Sequence, residues 1–125
     1  PVMYNQKVLD YYQRFEKLEP LWKISEAEFI AVTVGDLSAG ERVIFQAKLN
    51  SEGLPCESRF QVLGCGYMIA LVIWLNEKIS LGYFAELKNI SIQDLVYLFE
   101  LPAKKTHSAV CLLEVIQKLS ALCKG

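Results

Sequence analysis

Residues 62–78, VLGCGYMIALVIWLNEK, place one cysteine between two glycines at the mouth of an almost wholly apolar segment. The uninterrupted apolar run from Tyr67 to Leu75 is about half of what a membrane-spanning helix needs, so protein rather than lipid must cover it. A helix bearing Met68, Ile69, Leu71, Val72, Ile73, Trp74 and Leu75 leaves few positions for a wet face. In a small domain, a helix beside a sheet normally keeps one side in water. The excess of apolar surface therefore predicts a second copy of the chain, or another protein, on the outer face of helix 66–79. The alternative is a helix buried entirely by its own chain.

The chain has room for such a core. Its 125 residues, 53% of them hydrophobic and 22% charged, suit one compact domain spanning 1–125. A formal net charge of -1 with scattered basic residues gives no electrostatic footprint for nucleic acid. The opening PVMYNQKVLD lacks an apolar signal core, and no segment is long enough to span a bilayer, so a cytoplasmic protein is expected.

Around the apolar segment, two periodicities divide the chain. Residues 6–18 space Val8, Leu9, Tyr12, Phe15 and Leu18 as a helical stripe that should end before Glu19-Pro20. The run EFIAVTV at 28–34 reads as a strand broken by Gly35. RVIFQAKLN at 42–50 alternates as a second strand, and NSEG at 50–53 turns it into a third, PCESRFQV, with Cys56, Ser58, Phe60 and Val62 on one face. Pro55 suits an edge strand or a strand start. Helices are expected at 66–79, 81–87, from Ser91-Ile92 with Asp94 in the first turn, and from His107 to Leu122, with Pro102 separating the last two. Strands first and helices after predict an α+β fold, a three-stranded antiparallel sheet with helices packed on it.

The four cysteines, at 56, 65, 111 and 123, contain no C-x-x-C pair, so neither a zinc knuckle nor a thioredoxin-type motif is present and free thiols are expected. Locally, Cys65 reads equally well as a reachable thiol and as a packed one. Gly64 and Gly66 suit a strand-to-helix turn, and Trp22 and Trp74 read as core or interface anchors.

Three spaced pieces, VGDLSAGE at 34–41, RFQVLGCG at 59–66 and LPAKKTHS at 101–108, together resemble the IscU/NifU amino-terminal scaffold family, whose members assemble iron-sulfur clusters. That family carries A-C-G-D, G-C-G before a long helix, and L-P-P-V-K-x-H-C before the last helix. KVLDYY near the start resembles its first helix. The resemblance implies cluster-ligand positions at 39, 41, 65, 107 and 108, of which Cys65 and His107 match. Ala39 and Ser108 stand where the family has cysteines, and Glu41 where it has aspartate. Of the family's chaperone-recognition piece, Leu101, Pro102 and Lys105 are retained, and the resemblance implies a partner-binding role for them.

A [2Fe-2S] cluster needs four protein ligands, and thiolates suit it best. Ala39 offers none and Ser108 is a poor substitute, so a cluster of the family's type is not expected. A single zinc or iron ion accepts mixed Cys, His and carboxylate donors, which Glu41, Cys65 and His107 would supply. Cys111, one helical turn after His107, is a replacement thiol or an inward-facing core residue. A Cys65-His107 nucleophile pair lacks an evident orienting group. The sequence thus points to a non-enzymatic scaffold-like protein with a degenerate ligand set. It would bind a cysteine desulfurase or other assembly partners, with a mononuclear metal protein as the alternative.

Overall fold

A computed structural model describes residues 4–14 and 18–123. Strands β1 (Ile30–Asp36), β2 (Glu41–Leu49) and β3 (Pro55–Leu63) form an antiparallel sheet in the order β1-β2-β3. Helices α1 (Gln6–Tyr12), α2 (Gly66–Ser80), α3 (Phe84–Leu87), α4 (Ile92–Phe99) and α5 (Thr106–Leu122) complete the α+β architecture.

Register follows the alternation. Val32 pairs with Phe45 and Val34 with Val43, while Phe60 and Val62 oppose the same two β2 residues from the other side. These residues form the sheet's inner face, and the Phe45 and Phe60 rings stack with centroids 6.0 Å apart. Ser58 and Phe60 are buried as the alternation requires, but Cys56 is exposed, because the ladder slips between Lys48 and Leu49 before reaching Pro55. Pro55 opens an edge strand, where its missing N–H costs least. Along the opposite edge, Lys118 of α5 donates to the Thr33 carbonyl at 3.2 Å, capping a backbone acceptor that would otherwise face a foreign strand.

Gly35 does not break β1. It remains in register opposite Arg42 with φ of +100°, and a Cβ there would stand 2.8 Å from the Glu41 carbonyl oxygen. Only glycine carries the strand through this point. The chain then turns through a short 3-10 segment, Leu37–Ala39, closed by left-handed Gly40. At the other end of β2, Asn50 Oδ1 accepts from Glu52 and Leu54 N–H groups, closing the expected NSEG turn.

The expectation of a partner on helix 66–79 is corrected by the packing. Met68, Ala70, Leu71, Val72 and Leu75 have no exposed surface, because α2 runs between β3, α1 and α5, and its Trp74 meets Phe99 of α4 edge-on at 5.7 Å. The chain itself supplies the cover on every apolar side. The core cluster around α2 draws residues from every strand and helix named here.

In α1 the buried stripe is Val8 with half-buried Tyr11, while Leu9 and Tyr12 are exposed, a phase one residue away from the expected face. The helix ends at Tyr12, and Phe15 lies outside the described residues. The segment expected as helix from 81 begins only at Phe84, because Gly82 adopts a left-handed φ of +84°. Helix α4 starts as expected, with Ser91 and Asp94 forming a reciprocal capping box.

Trp22 anchors a separate layer on the outer face of the sheet. Its ring lies between Lys48 and Arg59, 4.6 and 4.7 Å from the centroid, and its backbone is held by the Gln46 side chain. Trp74, by contrast, belongs to the main core.

Candidate functional site

The three pieces that the sequence singled out converge at one end of the sheet. Exposed Ala39 ends the 3-10 turn and Glu41 opens β2. Cys65 is the residue before α2, with extended backbone and no side-chain capping bond of its own. His107 and Ser108 occupy the first turn of α5, and Cys111 follows one turn later.

Two contacts join these elements. Glu41 Oε2 stands 3.6 Å from His107 Nε2, and Cys65 Sγ stands 3.8 Å from Ser108 Oγ. The first is an ion-pair spacing beyond hydrogen-bond range. With the Glu41 side chain about a quarter exposed and that of His107 about half, water screens it. In the second, half-buried Cys65 faces a serine with no exposed surface. At Cys111, burial first, then the Glu41 and Glu114 carboxylates, push the thiol up to about 11. Cys111 lies on the core face of α5 with Ala109, Leu112 and Val115, whereas its neighbour Val110 is exposed.

The four donors anticipated for a metal, Glu41, Cys65, His107 and Cys111, thus come to one end of the molecule. Among the described residues, however, no three His, Cys, Asp or Glu side chains are grouped to hold a metal ion. Glu41 is the carboxylate beside His107 that spacing alone did not reveal, yet the thiol makes its polar contact with Ser108.

The three residues expected to recognise a partner differ in exposure. Leu101 is buried in the core cluster, drawn in by the α4 terminus, where its N–H bonds the Val96 carbonyl at 3.0 Å. Pro102 and Lys105 remain partly exposed around the 3-10 turn Ala103–Lys105.

Two neighbours of the site carried no functional signal in the sequence. The Tyr4 hydroxyl accepts the Gly66 N–H at 3.1 Å, and the Asn5 side-chain amide donates to the Phe99 carbonyl at 2.7 Å. The signal that could have found Asn5 is its residue type directly before the α1 pattern, a cap position that the stripe alone does not mark; for Tyr4 no local signal exists.

Comparison with known proteins agrees with this geometry. Residues 3–122 match the family model described as the NifU-like N terminal domain. The chain is 27% identical over 107 residues to the iron-sulfur cluster assembly scaffold protein IscU of Escherichia coli strain K12, covering 86% of this chain and 83% of the relative. It is 28% identical over 111 residues to the protein of the same description from Haemophilus influenzae, covering 86% and 84%. Among the described residues, no helix is long and apolar enough to cross a membrane.

Proposed function

We propose that this chain, which belongs to the NifU-like N-terminal domain family, is a scaffold-fold protein of iron-sulfur assembly that has given up cluster formation and acts by binding assembly partners. The observation that carries this reading is the Cys65–Ser108 contact at 3.8 Å: a hydroxyl stands where the family places a thiol, directly beside the remaining cysteine. Ala39, the other replaced cysteine position, ends in a methyl group. A [2Fe-2S] cluster requires four ligands, and this end of the molecule offers one half-buried thiol, one imidazole and one carboxylate, with Cys111 held protonated at neutral pH. This donor set does not fit the cluster.

Binding then rests on the inherited surface. A cysteine desulfurase is the expected partner, the cytosol the expected compartment, and Pro102 and Lys105 are the accessible remnants of the recognition piece. No bond is made or broken by the chain in this reading. Its residues hold the surface that a working scaffold would present.

The second reading, a mononuclear zinc or iron site on Glu41, Cys65 and His107, gains from the proximity of Glu41 to His107. It requires the Cys65 side chain to turn from Ser108 toward that pair.

One preparation tests both. The protein is purified anaerobically, without added metal or a metal-binding tag, and iron, zinc and acid-labile sulfide per chain are measured, followed by capture of a purified cysteine desulfurase. Desulfurase binding without metal or sulfide is the expected result. Iron with matching sulfide overturns the first reading. Near-stoichiometric zinc or iron that disappears in Cys65→Ala establishes the second.

A further inference from the structure

Tyr4 and Asn5 hold both halves of the site while supplying it no thiol, imidazole or carboxylate. The Tyr4 hydroxyl accepts the N–H of Gly66, the residue directly after Cys65 and the first of α2. The amides at a helix start have no partner within the helix, and Cys65 provides no cap, so the phenol oxygen does this work from 62 residues away. Its ring lies edge-on to Tyr67 at 4.7 Å between centroids. It also sits so close to the helix that a Cβ on Gly66 would stand 2.7 Å from Tyr4 Cζ. Glycine at 66 is therefore the seat of the tyrosine as well as part of the turn.

Asn5 reaches the other half. Its Oδ1 caps α1 by accepting the Val8 N–H at 2.9 Å, while its Nδ2 donates to the Phe99 carbonyl at 2.7 Å. Phe99 is the last residue of α4, and Glu100 after it has a left-handed φ of 50°, the one positive φ at a non-glycine among the described residues. From that turn the chain runs through Leu101 and Pro102 directly to His107 and Ser108.

We propose that Tyr4 and Asn5 are positioning residues that latch the Cys65 and His107–Ser108 halves of the site together. The inference rests on the reading of Cys65 as the thiol of a scaffold site. The latch follows from connectivity, since one dipeptide bonds the start of the Cys65 helix and the end of the helix that leads to Ser108.

Two substitutions each remove one anchor. Tyr4→Phe keeps the ring against Tyr67 and removes only the acceptor for the Gly66 N–H. Asn5→Asp keeps the α1 cap and removes the donor to Phe99.

Ser108→Cys serves as the proximity reporter for both. The Cys65 thiol and the introduced thiol together lose two protons and two electrons to glutathione disulfide, which is reduced to two glutathione molecules. With either substitution added, cross-linking several-fold slower than in Ser108→Cys alone is expected; an equal rate with either, with circular dichroism showing the variants folded, overturns the latch. The readout involves no metal, sulfide or partner, so this inference and the proposed function fail separately.

Discussion

The Ser108 hydroxyl oxygen lies 3.8 Å from the Cys65 sulfur, and Ser108 has no exposed surface. Under the proposed function, Ser108 holds a family cysteine position that still faces the remaining thiol, and what is missing is the donor atom.

Restoring the donors should restore the chemistry. The triple variant Ala39→Cys, Glu41→Asp, Ser108→Cys, reconstituted anaerobically with ferrous iron and sulfide, should retain both in matching amounts and gain visible absorption, while the unaltered protein retains neither after desalting. Equal sulfide in the two proteins would show that donor number does not limit binding.

The outer layer depends on Gln46, a buried polar side chain. Its carboxamide accepts the Trp22 N–H at 2.7 Å and donates to the Trp22 carbonyl at 2.9 Å, reproducing a strand-like exchange with a segment that is not a strand. Gln46→Ala should leave both backbone groups without partners and lower unfolding free energy by about 3 kcal/mol in urea titration. A loss under about 0.5 kcal/mol would mean that water replaces the amide.

The raised Cys111 thiol makes stability fall in alkali. The unfolded thiol titrates near 9.0 and the folded one at about 11, so below pH 9 the contribution is complete, and between 9 and 11 the unfolded state loses its proton first. Stability then declines with rising pH by roughly 2 kcal/mol across that window, because the unfolded chain binds fewer protons. Urea unfolding of the unaltered protein and Cys111→Ala should converge as pH rises from 9 to 11. Parallel curves would assign the alkaline loss to other groups, such as the tyrosines.

Much of the secondary structure was legible because its signals are local. Alternation at 42–50 reports a strand with one buried face, and β2 follows it. Ser91 and Asp94, three residues apart, report a helix start, and the capping box is present. Gly35 misled for the same reason: composition shows that a glycine permits a break, not that an approach of 2.8 Å to the Glu41 carbonyl demands glycine within an unbroken strand. The α1 stripe shifted by one residue because Val8 and Tyr11 pack into the core, Tyr11 with its ring 5.6 Å from that of Phe99, a preference that an isolated helix of seven residues does not encode.

By itself the sequence determined that helix 66–79 must be covered on all sides and that three strands precede the helices, and its three spaced pieces resemble those of the scaffold family. Only the tertiary structure decided what provides the cover: α1, β3, α4 and α5 of the same chain, where a partner had been expected. It also decided that Leu101 turns inward, that Glu41 meets His107, and that Tyr4 seats on Gly66. The physical reason is range. Periodicity records which face of an element avoids water, whereas the identity of its neighbour depends on how distant segments pack, and no local pattern records a contact across 62 residues.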